Sequence, residues 1–269
     1  MTILQALVLG IIQGITELLP ISSSAHLDIL PWIFGWTKSA EFVAAFEGFD
    51  VALHFGTLLA IGIFFFKDWI SLIKGGFNLA IKKQKSQEGR MFWYIVAATI
   101  PGGIIGLLLD KFVGDGLKQP IIIAIALIVM GIILYFVDKK SKSDTKYENM
   151  TFKQTFLIGL SQCLAFIPGV SRSGITTTTA RAMKIERESA AKYSFMLSAP
   201  IVLAATVLKL KDFVFSIPFF VGILASFIVG IFVIKFLLNY LKKGSFKIFA
   251  IYRVIFGIII IGCFIFSKI

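Results

Sequence analysis

The 269-residue chain has only two cysteines, Cys163 and Cys263, both in apolar surroundings with no CxxC spacing and no Cys/His pattern. That excludes a disulfide framework and a thiolate metal centre, and the two thiols read as packing groups. Histidine is equally scarce, with His26 and His54 the whole supply. Acidic residues are outnumbered, 15 Asp+Glu against 27 Lys+Arg, for a formal charge of +12. Nucleic acid would be one reading of that excess. The basic residues lie in loops between apolar runs, however, so they read as loops facing an anionic leaflet. No Pro/Gly/Ser-rich linker divides the chain, and no stretch alternates apolar and polar residues as a membrane barrel does. The first nine residues have no basic segment and no small-residue cleavage site follows them, so the N-terminus reads as mature protein rather than a signal peptide.

What the chain has in abundance is apolar sequence. It is 57% hydrophobic, with long runs at 121–137, 219–236 and 249–266, where soluble domains are roughly 45–50% apolar. A hydrocarbon core ~30 Å thick needs about 20 apolar residues per helix. Full spans are expected at 42–66, 91–109, 120–137, 188–208, 215–236 and 248–267. Two other apolar segments are broken at their centres. Residues 3–34 are interrupted by Pro20, Ser22, Ser23, Ser24 and His26, and residues 154–183 by Pro168, Ser171, Arg172, Ser173 and Gly174. Each fits a re-entrant hairpin, two short helices meeting at a loop inside the membrane, where protein or water must satisfy the exposed backbone.

The expected fold is therefore an all-α integral membrane protein of a single domain, 1–269. Basic loops at 67–90 and 139–153 belong inside, and the balanced loop 110–118, with Asp110, Lys111, Asp115 and Lys118, belongs outside. Lys209 and Lys211, placed outside by this scheme, run against the rule. A hairpin returns to its own side and three spans do not. The chain thus reads as two inverted-topology repeats, each a hairpin plus three transmembrane helices, about 1–138 and 153–269, with a basic cytoplasmic loop between. Gln13 stands nine residues before Ser22, Gln162 nine before Ser171, and Gly10 and Gly159 each three before the glutamine. Inverted repeats place their sites where the broken elements meet.

Gln13 and Glu17 are four apart and share a helix face. Pro20 should end that helix, and Ser22, Ser23 and Ser24 can cap a second one whose first amides are free to hold an anion. His26 follows Ser23 by three residues, on the same face. An ionisable side chain in a membrane segment is costly unless paired or hydrated, which marks Glu17 as functional, although a purely structural bond within the bundle would also satisfy it. In the second hairpin Ser171, Arg172, Ser173 and Gly174 form a plausible phosphate cradle, with Arg172 able to grip phosphate through two parallel bonds. Arg172 could equally pair with Glu17 when the site is empty. Thr176 and the threonines after it either line the cradle or bond back to helical carbonyls. Asp50 and His54 are four apart on one span, and Asp50 either supports the site or is simply hydrated near a span end.

Glu17-Leu-Leu-Pro-Ile-Ser-Ser-Ser-Ala-His26 and Pro168-Gly-Val-Ser-Arg-Ser-Gly174 resemble the two signature regions of the undecaprenyl-diphosphatase, or bacitracin-resistance, family, and Phe49-Asp50-Val-Ala-Leu-His54-Phe-Gly56 extends the likeness. The resemblance implies hydrolysis of undecaprenyl diphosphate to the monophosphate, a bacterial plasma membrane, a site reached from the outer side and a divalent cation, Mg²⁺ or Ca²⁺, with Glu17 its candidate ligand. It places catalytic roles on Glu17, Ser23, His26 and Arg172. The phosphate would be held by Ser22, Ser24, Ser171, Ser173, Gly174 and Thr176, with support from Gln13 and Asp50. The family motif begins with Glu or Gln, and Gln13 cannot act as a base, which throws that work onto Glu17. Relatives more often carry Gln at the position of His54, which weakens any role for it. The nucleophile is left among Ser23, His26 and water. Expected partners are the polyprenyl diphosphate, membrane lipids and a second copy of the chain, with no nucleic acid.

Two rivals define the alternatives. Another membrane phosphatase family needs a histidine after its Ser-Arg element, and both histidines here precede Arg172. A transporter or scramblase would also use inverted repeats and an anion site, but transport alone does not require the Glu, Ser and His cluster.

Overall fold

The computed structural model describes residues 1–112, 119–213 and 215–266, and among these it is helical with no strand. In chain order the helices are α1 (Ile3–Thr16), α2 (Ser23–Ile33), α3 (Ala40–Phe64), α4 (Phe66–Lys82), α5 (Gln87–Phe112), α6 (Pro120–Lys140), α7 (Phe152–Ser161), α8 (Arg172–Ala182), α9 (Arg187–Leu208), α10 (Ile217–Leu241) and α11 (Lys247–Phe266). Among the described residues α5, α6, α9, α10 and α11 are long and apolar enough to cross a membrane. Helix α3 makes a sixth if its two parts, Ala40–Phe46 and Gly48–Phe64, bent by 43°, are counted together. These correspond to the six spans expected from hydropathy.

The stretch 67–90, read from sequence as a basic loop, is mostly helix. Helix α4 carries Phe66, Ile70, Ile73, Phe77 and Ile81 as an exposed apolar stripe, with Lys67, Lys74 and Lys82 beside it. The helical period of those five residues is masked in hydropathy by the lysines between them. Residues 113–118 of the expected outer loop lie outside the described residues.

Both broken segments are hairpins. Helix α1 begins in a capping box, Thr2 with Gln5, and α7 in another, Thr151 with Gln154. Helix α2 is capped by Ser22 at φ 75° and α8 by Ser171 at φ 70°. Positive φ is rare for a residue with a Cβ and marks a strained position. In each loop the cap hydroxyl lies 3.2 Å from that of the serine two residues on, Ser22 with Ser24 and Ser171 with Ser173.

The hairpins pack against spans of the opposite half of the chain. Helix α1 lies along α10 and α7 along α5. The contacts are close because small residues face each other. A Cβ at Gly10 would lie 2.7 Å from the Gly222 carbonyl, and one at Gly159 would strike Ala98. In lipid such close van der Waals packing, rather than a hydrophobic force, holds helices together.

At the far end of α8 from Arg172, the fully buried Arg181 bonds Asp138 Oδ1 at 2.7 Å and the Ser141 carbonyl at 2.8 Å, while Arg187 Nε reaches the same carboxylate at 2.9 Å. This knot ties the ends of α6 and α8 to the start of α9.

Candidate active site

Helix α1 ends at Thr16, so Glu17 stands at the first turn of the loop, buried at 7% exposure. Ser23 is the first residue of α2 and Arg172 the first of α8, and both converge on the Glu17 carboxylate. Arg172 Nη2 donates to Oε1. Ser23 Oγ donates to Oε2 at 2.5 Å, and Gln13 Nε2 donates to the same oxygen at 3.3 Å. The carboxylate therefore sits between the N-terminal turns of two helices, where backbone dipoles favour negative charge. Arg172 also reaches the Ser198 carbonyl at 3.4 Å. The pairing of Glu17 with Arg172, expected from sequence as one of two readings, is the arrangement present.

Other expected residues are placed differently. His26 is buried between the Ser22 carbonyl and Tyr252. Its Nδ1 meets the Ser22 carbonyl at 2.7 Å and its Nε2 meets the Tyr252 hydroxyl at 2.7 Å. The carbonyl can only accept, so Nδ1 carries the proton and Nε2 faces the tyrosine hydroxyl. The ring is stacked on Phe256 at 4.4 Å. One helical turn does put His26 near Ser23 along α2, but the aromatic face of α11 draws the imidazole toward itself. Thr176 also points elsewhere, donating to the Arg172 carbonyl at 2.7 Å and lying 2.7 Å from Ser194 Oγ. Ser173 Oγ donates to the Leu19 carbonyl at 2.9 Å, so the second loop braces the first. Ser171 Oγ accepts from the Gly174 amide at 3.0 Å.

Two further residues complete the site. His54 Nδ1 lies 3.0 Å from Gln13 Nε2 and 3.4 Å from Glu17 Oε2, and its Nε2 lies 3.9 Å from Asp50 Oδ1. Arg253, fully buried on α11, donates to the carbonyls of Pro20 at 3.2 Å, Gly169 at 2.8 Å and Val170 at 2.9 Å. It thus holds both loop tips, answering the demand that backbone at membrane depth be satisfied by protein. The sequence signal was available, since a lone arginine inside an apolar run marks a functional position.

Glu17 is the one expected ligand for a divalent cation. Hard cations want several oxygen ligands. Both oxygens of Glu17 are engaged, and among the described residues no group of three or more His, Cys, Asp or Glu could hold a metal.

Comparison with known proteins gives a consistent result. A family model described as bacitracin resistance protein BacA matches residues 6–259. The chain is 47% identical over 264 residues to a protein named undecaprenyl-diphosphatase from Pelotomaculum thermopropionicum, covering 97% of this chain and 96% of that one. It is 45% identical over 271 residues to the protein of the same name from Caldicellulosiruptor bescii, covering 98% of each.

Proposed function

This chain belongs to the BacA family of bacitracin-resistance proteins, and on that premise we propose that it hydrolyses undecaprenyl diphosphate to undecaprenyl phosphate and inorganic phosphate. The observation that carries the mechanism is the hydrogen bond from Ser23 Oγ to Glu17 Oε2, with Arg172 on the other carboxylate oxygen. A serine whose proton already points at a base is a nucleophile in waiting. Ser23 Oγ attacks the terminal phosphorus, its proton passes to Glu17, and the bridging P–O bond breaks to release the lipid monophosphate. Arg172, freed from Glu17 as that group takes the proton, stabilises charge on the phosphoryl oxygens. Water then cleaves the phosphoserine, giving one hydrogen to Ser23 and leaving inorganic phosphate. Ser22, Ser24, Ser171 and Ser173 shape the two loops around the phosphate. His26, bonded to the Ser22 carbonyl, holds the first loop rather than attacking.

The wider setting is proposed on the same footing. The two halves are read as inverted repeats, from their matching caps, serine loops and exchanged helix partners. The basic stretches 67–90 and 139–153 face the cytoplasm of a bacterial plasma membrane, and the lipid diphosphate enters from the outer side. A homodimer is part of the proposal, to be read from the mass of the solubilised protein.

The test is phosphate release by the detergent-solubilised protein given undecaprenyl diphosphate, with acid-quenched samples examined for phosphoserine at residue 23. Labelled phosphate on Ser23 is expected in the parent and none in S23A. Full activity in S23A would overturn the serine mechanism.

A further inference from the structure

The proposed reaction leaves a proton behind. With an ionised diphosphate, the first step moves the Ser23 proton to Glu17. In the second step one hydrogen of water returns to Ser23 and the other stays on the phosphate. Glu17 then holds a proton that must leave before the next turnover, yet its side chain is only 5% exposed.

Of the groups that touch the Glu17 carboxylate, Arg172 keeps its proton, and the Ser23 hydroxyl and the Gln13 amide are poor proton carriers. His54 is different: imidazole takes up and releases protons in the physiological range. Its Nδ1 is 3.4 Å from Glu17 Oε2, while its ring is 29% exposed and its Nε2 faces the more exposed Asp50 at 3.9 Å. The charged groups around it are Glu17, Asp50 and Arg172. Imidazole at this position links a buried carboxylate to water.

Gln13 supplies a second and independent observation. It is fully buried, its Nε2 donates to His54 Nδ1, and its Oε1 has no hydrogen-bond partner. An amide with Nε2 toward Nδ1 suits an imidazole whose Nδ1 is unprotonated. If Nδ1 gains a proton the two donors oppose each other. Turning the amide end over brings the orphaned Oε1 to the new N–H and gives up the 3.3 Å Nε2 bond to Glu17, whose Oε2 keeps its bond from Ser23. The atom left unsatisfied in one protonation state is the acceptor required by the other.

We propose that His54 is the proton outlet of this site, a positioning residue acting through Glu17, with Gln13 as the amide switch that accommodates both of its states. The proton passes from Glu17 Oε2 to His54 Nδ1, and the Nε2 proton passes to water beside Asp50, leaving a neutral Nδ1–H imidazole that exchange with water returns to the Nε2–H tautomer before the next turnover. This rests on Glu17 being the base for Ser23.

The test separates the first turnover from the later ones, using the full chain in detergent and undecaprenyl diphosphate in a rapid-quench experiment. In H54Q and H54A the first burst of lipid monophosphate is retained, while steady-state turnover falls at least about tenfold, less than the ~10²–10⁴ of a direct acid–base group, with KM falling in step so that kcat/KM is kept. Imidazole in the buffer restores H54A in proportion to its unprotonated fraction. E17Q loses the burst itself. Steady-state turnover of H54Q at the parent rate would overturn the outlet, as would an H54A defect that imidazole does not relieve. A burst retained in E17Q would instead sink the underlying assignment of the base. Should the variants fail to fold, a proton inventory on the parent decides. A curved dependence of turnover on D₂O fraction supports transfer through more than one site, and a straight line for turnover refutes it.

Discussion

Arg253 and Gly174 share one volume: a Cβ on residue 174 would run into the Arg253 guanidinium. The arginine comes from α11 and the glycine from the first turn of α8, and between them they set how closely the second loop approaches the first. Gly174→Ala should therefore push Arg253 off the loop carbonyls, with an overpacking cost of about 1–3 kcal/mol. Arg253→Met should cost more, because each buried carbonyl left without a donor costs about 1–3 kcal/mol. Both are read from the melting temperature of the solubilised protein, with Arg253→Met the lower of the two.

Arg172 offers the contrast. Its guanidinium is partly exposed and pairs with one carboxylate, so Arg172→Lys should keep the fold and lose most of the activity, since an ammonium cannot copy the planar two-point grip on phosphate. Phosphate release and melting temperature, measured together, check this. Near-parent turnover would reduce Arg172 to a structural ion-pair partner. If Glu17→Gln also hydrolysed at the parent rate, a transporter would become the better description of the site.

His26 is predicted to act through its Nδ1–H bond to the Ser22 carbonyl. Asparagine can place an amide N–H near that position, so His26→Asn should retain far more phosphate release than His26→Ala. A phosphohistidine route requires the opposite, with both variants equally dead.

Chelation should leave the melting temperature unchanged, because no described cluster of ligands could hold a metal within the fold. Any loss of hydrolysis on adding EDTA, with the melting curve unmoved, would mark a cation that arrives with the diphosphate.

Orientation is checked by cysteine labelling in a background lacking Cys163 and Cys263. A cysteine at Lys85 should resist an impermeant thiol reagent in intact cells and react after permeabilisation, whereas one at Lys211 should react in both.

The hairpins were legible because Pro20 and Pro168 interrupt apolar runs at matching places, and the meeting of Glu17 with Arg172 followed from the cost of leaving either alone in a membrane. Gln13 likewise lies where its spacing placed it, against Glu17. What could not be read was direction around a helix axis at the loops. The spacing from Ser23 to His26 is one turn, yet the imidazole stacks on Phe256 of a helix more than two hundred residues away. Thr176 lies on the right helix and faces Ser194. His54 was discounted from the pattern of its relatives, although here it meets Gln13, a contact between two helices that no linear spacing displays.

The lie of α1 along α10 governs the order in which the protein can be completed. A ribosome delivers residues 3–16 first and residues 217–241 almost last, and the groove that receives Gly10 is built by Gly222. Throughout most of synthesis the first hairpin, with Glu17 in it, has no final partner. It must wait at the translocon or the membrane surface for α10, and Arg172 and Arg253 likewise reach it only as the later segments arrive. A nascent chain stalled before residue 217 should therefore hold its first helix accessible to protease, while the same chain released at full length should not.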